Sequence, residues 1–153
     1  MTDPRDDSDH SSTLAHALRE VRRKYDLLDR GASASLRRCR TADEVALEGT
    51  FWRIGGDIAH QQRAVASVVL LFPTAPHATM PRFSFGRYLH TQIGESSGGV
   101  LRFRRLLDSR DRDELDHRLR GVVKLAASDR SPVDWGLFGR DILWFFGESG
   151  HVR

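Results

Sequence analysis

A chain of 153 residues with 39% hydrophobic and 29% charged side chains suits one domain, or two small lobes sharing a core. Its single cysteine, Cys39, excludes an internal disulfide and any multi-cysteine metal site, and no stretch approaches the roughly 18 apolar residues of a membrane span. The formal charge of +3 is uneven: residues 1–12, MTDPRDDSDHSS, hold four Asp against one Arg, which leaves +6 on the body.

That opening lacks periodicity and apolar groups, so residues 1–12 read as a disordered acidic tail. No apolar core of a signal peptide follows, and a cytoplasmic location is the simplest expectation. Leu14, Leu18, Val21, Tyr25 and Leu28 then recur at steps of four and three, one stripe of an amphipathic helix. ASASLRRCR reads as a short helix. Thr41 with Glu44 three residues on has the pattern of a capping box, predicting one helix through DEVALEGTFWRI that stops near Gly55–Gly56. Asp57 opens another, with Ile58, Val65, Val68, Val69 and Phe72 as its buried side. These elements form an expected N-terminal bundle over 13–72.

Residues 73–82 contain three prolines, so no helix crosses them, and they are the natural boundary between two lobes. The C-terminal bundle, 83–153, starts with SFGRYLHTQI. It continues through LRFRRLLDSRDRDELDHRLRGVVKL, where Asp111 with Glu114 marks a second capping box and splits the stretch into two basic helices. Leu115, Leu119, Val122, Val123 and Ala126 make the buried face of the second. VDWGLFGRDILWFFGES closes the chain, with Asp134 as N-cap and Leu137 or Phe138, Ile142, and Phe145 or Phe146 facing inward. No alternation long enough for a sheet is present. The expected fold is all-α, two packed helical bundles. Its core is expected to hold Leu36, Phe51, Trp52, Leu106, Leu119, Trp135, Leu137 and Trp144.

Catalytic motifs are missing. None of the seven histidines pairs with another around a Glu at zinc-protease spacing, no Gly-rich phosphate loop precedes a Lys, and no nucleophile elbow occurs. The Asp108–Asp116 run lacks the glycine of a calcium loop and suits helix capping instead. Neither a metal nor any other cofactor is expected. What remains is positive charge on helices: Arg37, Arg38 and Arg40; Arg102, Arg104 and Arg105; Arg118, Arg120 and Lys124. Nearly all the basic residues are Arg, whose planar fork matches phosphate geometry, although a GC-rich genome produces the same bias. Three such clusters favour a phosphate-facing surface over an ordinary solvated one. The aromatic residues fall mostly on core positions and do not read as base-stacking platforms.

Taken together, LLDRGASASLRR (27–38), FWRI (51–54), HQQ (60–62), SFGRYL (84–89), RFRRLLDSRDRDEL, LRGVVKL and VDWGLFGRDILWF resemble, in order and spacing, the CasB family, the small subunit of the type I-E CRISPR complex Cascade. One departure is that the chain stops at GHVR, so a C-terminal helix found in the family is expected to be short or missing. The resemblance implies an all-α, non-catalytic antiviral-defence subunit. Two copies would lie along the complex beside the guide RNA. They would bind RNA and DNA backbone and stabilise the R-loop, both the displaced strand and the guide–target heteroduplex. The implied partners are other Cascade subunits, a second copy of the chain, the guide RNA and target DNA, with no small-molecule substrate. The first candidate contacts are Arg37 and Arg38, which match the family's paired arginines. Arg102, Arg105, Arg118 and Arg120 follow. Arg53 and Arg87 come last, since each has a nearby acid, Asp57 or Glu95, and Arg104 has a partner subunit as an alternative target. Two other functions compete: a helix-turn-helix regulator built on DEVALEGTFWRIGGD, and a helical protein–protein adaptor.

Overall fold

The computed structural model describes the backbone of residues 4–78, 83–94, 96–128 and 130–146, and their side chains except at 4–12, 60–62, 97 and 145–146. The described residues are all-α, with no β-strand among them. Among the described residues nine α-helices follow in order: α1 Pro4–Asp26, α2 Arg30–Arg38, α3 Ala42–Leu47, α4 Gly49–Gly55, α5 Gln62–Leu71, α6 Phe85–Ile93, α7 Ser97–Leu107, α8 Arg112–Ala126 and α9 Trp135–Phe146.

Helical backbone begins at Pro4, inside the segment whose composition suggests a tail. Proline suits a first helical position because its missing N–H has no intrahelical partner there. The capping signals hold at atomic detail. Glu44 N–H donates to Thr41 Oγ1 at 3.2 Å, and Glu114 N–H donates to Asp111 Oδ1 at 2.8 Å. In both, the glutamate reaches back to the N–H before the cap: Arg40 N–H to Glu44 at 2.6 Å, Arg110 N–H to Glu114 at 2.8 Å. Asp29 caps α2, accepting from Ala32 N–H at 2.8 Å, so that helix starts earlier than ASASLRRCR suggests.

The helix expected through residues 43–54 is two helices. Glu48 adopts an extended backbone (φ −77°, ψ 124°), ending α3 and opening α4. The break frees carbonyls at the end of α3, and the indole N–H of Trp52 donates to one of them, that of Ala46, at 2.9 Å. The helix expected from Asp57 is likewise divided: a 3₁₀ segment, Gly56–Gln61, with Asp57 in its first turn, precedes α5.

One continuous hydrophobic cluster runs through both halves of the chain. α9 lies against α1 and α5, α3 against α5, and α7 against α8. An edge-to-face series of rings joins the halves, from Tyr25 to Phe72 to Trp135 to Phe138, and on to Phe85 and Tyr88. Such ring pairs add about 0.5–1.5 kcal/mol each beyond their buried area. The Pro-rich segment is stitched into this core as far as residue 78. Arg22, buried on α1, donates to the carbonyls of Phe72 and Ala75 at 2.7 and 3.1 Å, and pairs with Asp26. Its guanidinium also lies over the rings of Tyr25, Phe72 and Trp135. Ala78 N–H donates to Val133 and Val133 N–H to Pro76, both at 2.9 Å. Residues 79–82 lie outside the described part.

Leu36, Phe51, Leu106, Leu119 and Trp135 are core, as their periodicity predicts. Trp52 and Trp144 are not: they are 45% and 72% exposed. Trp52 turns outward because the break at Glu48 resets the helical phase. Trp144 stands next to Leu143 and Ile142, which take the inward positions of α9. Leu137 is half-buried, and Phe138 is the inward residue of that pair. The side chains of Phe145 and Phe146 lie outside the described residues.

Candidate nucleic-acid interface

An arginine can tie the fold together or offer its charge outward, and its bonding distinguishes the two uses. Arg19 is bound to Asp134 through Nε and Nη2 at 3.1 and 3.0 Å, the carboxylate that also caps α9 by accepting from Gly136 and Leu137 N–H. Arg63 bridges three helices, reaching Asp113 on α8 at 2.6 Å and Asp43 on α3 at 3.8 Å. Arg140 pairs with Asp141, whose carboxylate accepts from Phe85 N–H at the start of α6. These cations connect elements of the fold.

Of the eight sequence-predicted contacts, Arg118 joins this structural group. It donates to the main-chain carbonyl of Arg105 and pairs with Glu114 one turn earlier. Arg37 and Arg38 stand exposed in the last turn of α2, with no hydrogen bond or ion pair among the described residues. Arg102 and Arg105, one turn apart on α7, are exposed and equally uncommitted, as is Arg104 between them. Arg120 is half-buried on α8, also without a side-chain partner among the described residues. Arg53, exposed at the end of α4, feels the charge of Asp29 without an ion pair to it. Arg87 lies over the ring of Phe83 at 4.9 Å; Glu95, its expected alternative partner, lies outside the described residues.

The uncommitted candidates thus fall in two sets. One is on α2 and α4, helices that touch each other. The other is on α7 and α8, also neighbours, with their corner closed by Arg118. Among its described side chains α7 buries only Gly99 and Leu106, with Phe103 half-buried, so most of its described circumference faces outward. Sequence spacing locates these sets but does not separate Arg118 from Arg120, because the carbonyl that Arg118 binds is thirteen residues away.

Little else resembles a reaction centre. Cys39 is buried, and burial pushes its thiol up from the ordinary value, against thiolate chemistry. Among the described residues, no three His, Cys, Asp or Glu side chains converge as a metal site. A cavity of about 180 Å³ between α6 and α7 is apolar, lined by Leu89, Ile93, Val100 and Phe103 with His90 at its side. No helix among the described residues is long and apolar enough to cross a membrane.

Comparison with known proteins finds one family. The model described as CRISPR-associated protein Cse2 matches residues 32–153, from within α2 to the end of the chain. No curated protein and no solved structure matches.

Proposed function

The chain belongs to the Cse2 family, the CasB small subunit of type I-E Cascade, and from that premise we propose that it holds nucleic-acid backbone within the complex through its uncommitted arginines. The family is a structural component of Cascade. The reading gives this chain no chemistry of its own. It grips phosphate, and sequence recognition stays with guide–target pairing. R-loop formation is close to energetic balance, so a few phosphate contacts to the displaced strand and to the heteroduplex suffice to keep it open. The proposed partners are other Cascade subunits, a second copy of the chain, the guide RNA and the target DNA.

The carrying observation is the division among the arginines. Arg19, Arg22, Arg63, Arg118 and Arg140 are engaged inside the fold, whereas Arg37, Arg38, Arg102 and Arg105 are exposed without an acid partner among the described residues. A solvated helix surface normally answers its cations with acids at the next turn. On these faces no acid pairs with them among the described residues: Asp108, three residues after Arg105, makes no ion pair.

The test is fluorescence anisotropy of labelled single-stranded and duplex DNA of random sequence at several salt concentrations. The reading expects binding indifferent to sequence, with log K falling by about 0.7 per contacted phosphate for each decade of salt on the single strand. Preference for one palindromic duplex would instead indicate a helix-turn-helix regulator.

A further inference from the structure

We propose that Trp52 is a stacking platform for an unpaired base, placed beside the backbone contacts of Arg53, Arg37 and Arg38. This rests on the nucleic-acid reading above and adds to it a contact with bases.

Three observations converge on this residue. Trp52 is 45% exposed, while its neighbour Phe51 is fully buried and meets the indole edge-on at 5.3 Å. The indole N–H is already spent on the Ala46 carbonyl, so what the ring offers outward is π surface and not a hydrogen-bond donor. Both contacts fix the ring, so little rotamer freedom remains to be lost on binding. A rigid, exposed indole is the side chain that single-strand binders place under bases, because every base has a π face and stacking needs no particular sequence.

Charge selects a nucleic acid as occupant over an apolar protein surface. Arg53 follows Trp52 on α4, and α2, which ends in Arg37 and Arg38, touches α4. Most acids of this corner are engaged: Asp29 caps α2, Glu44 accepts from Arg40 N–H, and Asp43 faces Arg63. Glu48 and Asp57 are the other acids of this corner, beside three arginines. Leu47, 85% exposed at the end of α3, is the feature a protein partner would use instead, and the experiment separates the two.

The experiment uses the full chain and two oligomers of roughly twenty nucleotides, one of thymidines and one abasic with the same phosphates. Trp52→Phe keeps a ring and Trp52→Leu removes it, and both lose the bond to Ala46, so the cost of that bond is shared. The unaltered chain should prefer the thymidine oligomer by about tenfold, and W52L should lose that preference with its salt slope unchanged. W52F should retain most of the preference. If the unaltered chain binds both oligomers equally, or W52L keeps the preference, stacking is overturned while the phosphate reading survives. If the unaltered chain binds neither, both are overturned and the exposed indole with Leu47 belongs to a protein interface.

Discussion

Arg118 on α8 donates a hydrogen bond to the main-chain carbonyl of Arg105 near the end of α7, and the same guanidinium pairs with Glu114. The ion pair is about one-third exposed on each side and contributes little by itself. The bond to an otherwise orphaned helix-end carbonyl is worth about 1 kcal/mol net. Arg118→Ala is therefore expected to lower the melting temperature by about 2–4 °C. The salt dependence of DNA binding should hardly change. Unaltered melting with a shallower salt slope would instead return Arg118 to the interface.

Arg102 and Arg105 predict the opposite pattern. Their side chains are exposed and have no partner among the described residues, so truncating both removes charge without removing contacts. The double variant Arg102→Ala/Arg105→Ala should melt within about 2 °C of the parent, since surface changes of this kind stay within about 0.5 kcal/mol. Its single-strand salt slope should fall by about 1.4, two contacts at about 0.7 each. Calorimetry and anisotropy on the same preparation decide this. A melting temperature lowered by several degrees would make these residues structural.

Much of this was legible from spacing alone, because local physics governs it. The stripe Leu18–Val21–Tyr25, the caps at Thr41, Asp111 and Asp134, and the split between α7 and α8 depend on residues within one or two turns. What spacing could not reach depends on distant partners. The break at Glu48 sits inside an unbroken helical pattern, and it turned Trp52 from an expected core residue into an exposed one. The Pro-rich segment reads as a boundary because prolines interrupt helices, whatever satisfies its carbonyls. Nothing local reveals that Arg22, fifty residues upstream, satisfies the Phe72 carbonyl. The basic clusters were visible as clusters, but sorting them into structural and available cations required knowing which acid or carbonyl each one meets.

Asp116 gives a pH prediction. It is buried on α8, and its Oδ1 has no hydrogen-bond partner among the described residues. Burial pushes its carboxyl above the ordinary carboxylate value, outweighing the nearby Ser67 hydroxyl and the guanidiniums of Arg112 and Arg63; Asp113 adds to the rise. The folded state therefore holds this proton more tightly than the unfolded state does. Stability from this group is greatest at low pH and declines as pH rises from the ordinary carboxylate value through the raised one. Asp116→Asn removes that dependence. In urea titrations from about pH 4 to 7, the stability of D116N relative to the parent should rise with pH. A flat or falling difference would mean that the two guanidiniums dominate.

A close approach between α9 and α1 yields the last prediction. A Cβ built on Gly136 would stand 2.5 Å from the carbonyl oxygen of Ala15 and 2.7 Å from Cγ and Nε of Arg19. The carbonyl belongs to a helix and cannot yield, and Arg19 is held there by Asp134. Gly136→Ala must therefore push α9 away from α1 or break that pair, an overpacking cost of about 1–3 kcal/mol. Gly121, in the middle of α8, has nothing within 4 Å of the same added atom. There alanine removes only the conformational freedom of glycine, so Gly121→Ala should stabilise by about 0.5–1 kcal/mol. The two variants make the same chemical change in helices of the same chain. Thermal melts should move in opposite directions, down for G136A and up for G121A. Equal shifts would mean that α9 does not approach α1 this closely, and the packing that joins the two halves of the chain would need a different account.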